Sequence, residues 1–209
     1  LGLPMEEPLE VHAVDIRHNE TLHRELDVVP VDPFTTSPSR THASLTMRHP
    51  ATPAGALLMK SLGVAGGLVE TKVEVTTVGL GYQHIRSKVS SMGVEVNQFM
   101  LPVPRGVDDV DLHVVYSLRK LQRADLRGLM RLIPLSLLEP RFDHGGYAEL
   151  MAAIDEHQVV WAHKKHMGRP RLLVGDENLL AYRRWTDGFY SRESGYRSDT
   201  PADESAVEA

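Results

Sequence analysis

Between Leu68 and Leu121 the chain alternates, and beyond Ala124 it stops alternating. Val69, Thr71, Val73, Val75 and Thr77 fall on every second position of Leu68 to Val78. A period of two puts one set of side chains on one face of a β-strand. Tyr82 to Val89 and Val94 to Val103 read as the next strands, joined near Ser90 to Gly93. Pro104, Arg105 and Gly106 with Asp108 and Asp109 make a turn. Val110 to Leu121 follows as another strand, with Leu112, Val114, Tyr116 and Leu118 on one face. The connections are short, so these strands are expected to be antiparallel neighbours.

The period then lengthens. Leu126, Leu129, Met130, Ile133 and Leu137 lie at helical spacing, and Pro134 should kink or end that helix. Gly145 and Gly146 break the chain. Tyr147 to His166 reads as a long helix with Leu150, Ile154 and Trp161 in one stripe, and Asn178 to Tyr190 as the last helix. A run of antiparallel strands followed by helices is an α+β pattern. We expect a helix-grip arrangement of the START and Bet v1 kind, in which a curved antiparallel sheet wraps on a long C-terminal helix. Residues 1 to 190 make one domain, and the small, polar residues 191 to 209 a disordered tail.

The front of the chain is less regular. Leu9 to Ile16 and Thr21 to Val31 suit a hairpin that turns at His18, Asn19 and Glu20. Residues 30 to 55 hold five prolines, and the spacing predicts a loop broken by a short strand at Ser44 to Met47. Ala54 to Leu62 reads as a short helix ended by Gly63.

Composition excludes several functions. With 209 residues the chain can bury a sizeable core, and a net charge of −5 gives nucleic-acid binding no support. No run of 18 apolar residues or signal-peptide pattern occurs, so we expect a cytoplasmic protein without a membrane partner. The sequence has no Cys, which removes disulfides, thiol nucleophiles and iron–sulfur ligation. It begins with Leu, and is expected to be a fragment or a processed form.

The stretch from Ile154 to Tyr190 reads IDEHQVVWAHKKHMGRPRLLVGDENLLAYRRWTDGFY. It resembles the end of the catalytic domain in Rieske-type non-haem iron oxygenase alpha subunits, in the group of ketosteroid hydroxylases and vanillate demethylase-like enzymes. Val73 to Arg86, Asn97 to Val103 and Leu112 to Lys120 resemble that family's central strands in order, so residues 66 to 190 are covered. The resemblance implies a helix-grip fold, a mononuclear Fe(II) and dioxygen acting on a small apolar substrate. It also implies electrons from a ferredoxin or flavin reductase and assembly as a homotrimer. The family's 2Fe-2S cluster would belong to a domain that this chain lacks.

In that family two His ligands lie in an Asp-x-x-His-x-x-x-x-His helix, and the Asp links the iron to the neighbouring subunit's cluster. Asp15, His18 and His23 have that spacing, with His12 where the family has Asn. The hairpin is the other reading of the same residues. The family's carboxylate ligand falls four residues before a large apolar residue. Here the position four before Trp161 is His157. As a ligand it would give a three-imidazole site; otherwise it packs beside Trp161. Asp155 and Glu156 point about 100–200° away on an ideal helix. The expected lining of an apolar pocket for a ring-bearing or steroid-sized substrate is Val75, Thr77, Met100, Val115 and Trp161.

Other motifs are weaker. His163 with His166, and His42 with His49, match no zinc-site spacing. Gly79-Leu80-Gly81 is expected to mark a strand bend rather than a nucleotide loop. Lys164-Lys165 and Arg183-Arg184 are either solvated faces or a docking patch for an acidic ferredoxin. Two function classes therefore stand: the catalytic portion of an oxygenase, and a non-catalytic domain that binds a hydrophobic ligand.

Overall fold

The structure is a computed structural model that describes residues 4–14, 26–50, 68–89, 94–106, 109–119, 131–164 and 177–190. Its framework is one six-stranded antiparallel sheet in simple sequence order: β1 (Leu26–Ser37), β2 (Arg40–Pro50), β3 (Leu68–Val78), β4 (Tyr82–Val89), β5 (Val94–Gly106) and β6 (Asp109–Leu118). Helices α1 (Glu7–Val14), α2 (Leu135–Trp161) and α3 (Glu177–Asp187) complete the described fold.

The alternation in the sequence becomes the two faces of this sheet. In β3, Val69, Thr71, Val73, Val75 and Thr77 are all buried, and the residues between them are exposed or half-buried. The register carries this face across the sheet, with Leu45 opposite Val73 and Ile85 opposite Val75. Met100 lies opposite Gln83 and Val114 opposite Met100. Leu9, Leu45, Val73, Val75, Ile85, Met100 and Trp161 make one core cluster on the inner side. Gly79 turns β3 into β4 with φ +55°, a conformation that glycine adopts without steric cost. The Gly79 to Gly81 segment is thus a chain reversal, where a strand bend was expected.

Helix α2 crosses the inner face. The Tyr147 ring meets Tyr116 of β6 edge-on at 6.5 Å, and Trp161 enters the core cluster. Leu150, Ile154, His157 and Trp161 share a stripe at i, i+4, i+7 and i+11, which is the buried side of a 3.6-residue helix. The fold is therefore α+β, consistent with a helix-grip arrangement.

Three expectations are corrected. Residues 7 to 14 form a helix, not the first strand of a hairpin. Pro8 falls in its first turn, where the missing N–H costs nothing. Residues 30 to 50 form most of two long strands, not a loop. Pro30 and Pro33 are tolerated because β1 is an edge strand, and the β1–β2 register shifts around them. Finally, α2 starts just after Pro134 and runs through Pro140, Gly145 and Gly146, so the glycines do not break it. The expected helix at 54 to 62 and the expected tail at 191 to 209 lie outside the described residues.

The two faces predict different sensitivities. Met100→Ala should cost about 2–5 kcal/mol through lost burial and a residual cavity. Val115→Ala, on the exposed face, should stay within about 0.5 kcal/mol. Urea unfolding midpoints of both variants check the assignment.

Candidate functional site

Helix α1 lies between the sheet and α3, and it is buried on nearly all sides. Leu9 joins the sheet core, while Ala13 and Val14 pack with Tyr182 of α3, flanked by Phe34, Leu179 and Trp185. Glu6, Glu7 and Glu10 are buried as well. Carboxylates persist in such surroundings only when paired and hydrogen-bonded. Arg183 supplies a fork: its Nε donates to Glu10 Oε2 at 2.8 Å and its Nη2 to Glu10 Oε1 at 3.1 Å. Lys164, just beyond α2, donates to Glu10 Oε1 at 3.0 Å and pairs with Glu7. The Tyr190 hydroxyl donates to Glu6 Oε2. From the sheet, Gln83 Nε2 donates to the Leu9 carbonyl at 2.9 Å and to Thr77 Oγ1 at 3.0 Å.

Sequence reading missed this cluster. One member of each basic pair, Lys164 and Arg183, turns inward to the acidic helix and not outward as part of a docking patch. The available signal was three Glu within the five residues Glu6 to Glu10. Only the fold brings them together.

His157 is 3% exposed and lies against α1. Its ring centroid is 4.9 Å from that of His12 and 5.2 Å from that of Trp161. His157 Nδ1 is 2.7 Å from the Ala153 carbonyl, which can only accept, so Nδ1 carries the proton. In the neutral ring Nε2 then holds the lone pair. This is the tautomer in which a histidine binds a metal through Nε2 while a backbone carbonyl orients the ring. Asp155 and Glu156, the neighbouring carboxylates, are exposed. Asp15, His18 and His23 lie outside the described residues, and among the described residues no group of three His, Asp or Glu side chains is arranged to hold a metal ion.

The expected lining divides by face. Val75, Thr77, Met100 and Trp161 are buried on the inner side, where Val75, Met100 and Trp161 pack in one cluster. Val115 is 47% exposed and pairs with Phe99 on the outer face, one residue out of phase with Val114. It does not line the interior. His163 is exposed, its Nδ1 bonded to the Val159 carbonyl, and His42 bonds Thr76 on the sheet. Among the described residues no helix is long and apolar enough to cross a membrane.

No protein-family model and no curated protein matches this chain. A search of solved structures finds a crystal structure of dicamba monooxygenase bound to 3,6-dichlorosalicylic acid, with a TM-score of 0.46 and 15% sequence identity. The match covers 87% of this chain and 54% of that one, so the chain spans about half the length of the protein it matches. Nothing about activity follows from a likeness at this level.

The buried ion cluster predicts loss of stability in alkali. Burial disfavours the Lys164 ammonium, but the carboxylates of Glu10 and Glu7 outweigh it and raise its pKa above the ordinary 10.5. Burial pushes the Tyr182 phenol well above 10.0, with Glu10, Glu7 and Tyr190 adding to the shift. Both groups hold their protons more tightly folded than unfolded, so their contribution is complete below the unfolded values and is lost as pH rises through the folded ones. The thermal midpoint should hold from about pH 7 to about pH 10 and fall above it. Lys164→Met should flatten part of that fall, as read by melts across the pH series.

Proposed function

We propose that this chain is the catalytic, helix-grip portion of a Rieske-type non-haem iron oxygenase. Its substrate would be an apolar, ring-bearing molecule of the aromatic or steroid class, hydroxylated or demethylated. The observation that carries the reading is the course of α1. Residues 7 to 14 are helical, press His12 against the buried His157, and lead directly into Asp15-x-x-His18-x-x-x-x-His23. The helix at residues 7 to 14 takes the place of the first strand that the hairpin alternative needs.

In this reading His18, His23 and His157 would hold a mononuclear Fe(II), and Asp15 would connect it to an electron donor. Iron held there would supply dioxygen activation. The chain's own residues do the rest. The Ala153 carbonyl orients the His157 ring. Val75, Met100 and Trp161 keep the surroundings apolar and dry. Thr77 and Gln83 are among the polar groups of that inner face. A sequence without Cys cannot hold the 2Fe-2S cluster, so electrons would arrive from a cluster carried elsewhere, across a homotrimer interface, fed by a ferredoxin or flavin reductase from NADH in the cytoplasm.

One observation favours a second reading, a non-catalytic domain that binds a hydrophobic ligand. The buried position on α2 carries an imidazole in place of a carboxylate, while Asp155 and Glu156 face solvent. A three-imidazole site lacks the negative charge that Fe(II) sites of this kind usually have.

Anaerobic Fe(II) titration separates the two. The oxygenase reading expects one iron per chain, affinity lowered at least about tenfold in His157→Ala, and tighter binding in His157→Asp because a carboxylate restores the charge. No iron uptake by the wild-type chain would leave the ligand-binding reading. In a separate assay, these 209 residues with reductase and NADH should form no product over multiple turnovers. Sustained hydroxylation of an aromatic acid or steroid would refute the assignment of the cluster to another polypeptide segment.

A further inference from the structure

Gln83, on the inner face of the sheet, has an amide whose two ends are treated differently. The residue is fully buried. Its Nε2 donates to the Leu9 carbonyl of α1 at 2.9 Å and to Thr77 Oγ1 of β3 at 3.0 Å. Both hydrogens of that nitrogen are therefore used. Among the described residues no group donates to its Oε1. The orientation is not interchangeable. The Leu9 carbonyl can only accept, so turning the amide over would set Oε1 against another oxygen. The acceptor is thus held in place through α1 and β3, and neither element supplies it with a donor.

We propose that Gln83 Oε1 is the polar anchor of an interior ligand site, accepting a hydrogen bond from a hydroxyl or N–H group on an apolar, ring-bearing molecule. This rests on the reading of the inner face as a seat for such a molecule, and it holds whether or not the molecule is oxidised there. Around the anchor the face is apolar. Met100 stands opposite Gln83 on β5, and Val75 with Ile85 is the next inward pair. All three belong to the core cluster that Leu9 and Trp161 enter. Small-molecule sites are mostly apolar, with a few fixed polar groups that set the ligand's orientation. Met100 suits the wall of such a seat, because an unbranched thioether chain adapts its shape at low cost. An acceptor without a donor in these surroundings carries a standing penalty, and a ligand that brings the donor removes it. The same penalty sets the chemical class. A phenol, an alcohol or an aromatic amine satisfies Oε1. An ether, a ketone or an ionised carboxylate brings only lone pairs, and two acceptors repel. Discrimination is strong where the wrong ligand leaves a buried polar group unpaired.

Matched ring compounds test this by calorimetry on the full chain: 2-naphthol against 2-methoxynaphthalene, and oestrone against its methyl ether. Each ether keeps the rings and the oxygen and loses the donor. We expect the wild type to bind the hydroxyl member of at least one pair about tenfold or more tighter than its ether. In Gln83→Met, which keeps a side chain of similar length and removes the amide, that preference should fall to about twofold or less, with the ether bound within about threefold of its wild-type affinity. A Gln83 that served only to hold α1 would weaken both members of a pair equally and leave their ratio unchanged.

Binding without a hydroxyl preference in the wild type, or a preference that survives in Gln83→Met, overturns the anchor and leaves the apolar-ligand reading standing. No binding of any of the four compounds overturns that reading and the anchor with it. Where Gln83→Met does not fold, a crystal structure of the wild type with the bound hydroxyl compound decides. Its oxygen within hydrogen-bond distance of Gln83 Oε1 supports the anchor. Its oxygen elsewhere, or an ordered water taking up Oε1 in its place, overturns it.

Discussion

Three carboxylates on and before an eight-residue helix would be driven out of a protein interior unless each met a partner there. Glu6, Glu7 and Glu10 are buried, and the described structure around them is arranged to answer that cost. Lys164 arrives from the end of α2, Arg183 from the middle of α3, and Tyr190 from just beyond it. Buried ion pairs add little net stability over apolar packing, but breaking one is costly, so they act chiefly as geometric constraints. The first described helix is thereby tied to the last two, across more than 150 positions of sequence.

That constraint gives the sheet its inner partner. The core cluster on β2 to β5 would be an open apolar face without Leu9 from α1 and Trp161 from α2. Gln83 shows how closely the polar and apolar layers are joined. It is fully buried in the sheet, and its amide nitrogen binds both Thr77 and the Leu9 carbonyl of the helix above. Among the described residues its Oε1 meets no hydrogen-bond partner, a local cost of about 1–3 kcal/mol. An unmatched acceptor at the contact between sheet and α1 is tolerated only where the surrounding packing over-determines the position.

The candidate ligand follows from the same packing. His157 is on the buried stripe of α2, between Trp161 and His12, and its Nδ1 proton is committed to the helix's own carbonyl at Ala153. A surface histidine would exchange tautomers freely. This one keeps its Nδ1 proton on an acceptor four residues back.

Where local physics decides structure, the sequence could be read directly. The period-two pattern of Val69 to Thr77 is a strand in any context that buries one face, and the stripe of Leu150, Ile154, His157 and Trp161 is a helix side in the same sense. Short turns between such strands dictated antiparallel neighbours. The N-terminal helix was not legible, because periodicity reads a contrast between wet and dry faces and α1 has no wet face: Leu9 and Ala13 meet the core while Glu7 and Glu10 meet cations. Strand β1 was hidden by Pro30 and Pro33, which its edge position makes tolerable, and β2 by Pro38 and Pro50 at its two ends. Val115 was mistaken for an inward residue because alternation defines two faces without saying which one is covered. Choosing the covered face, pairing Glu10 with Arg183 and setting His157 against His12 all depend on contacts between residues far apart in the chain, and those exist only once the tertiary structure has formed.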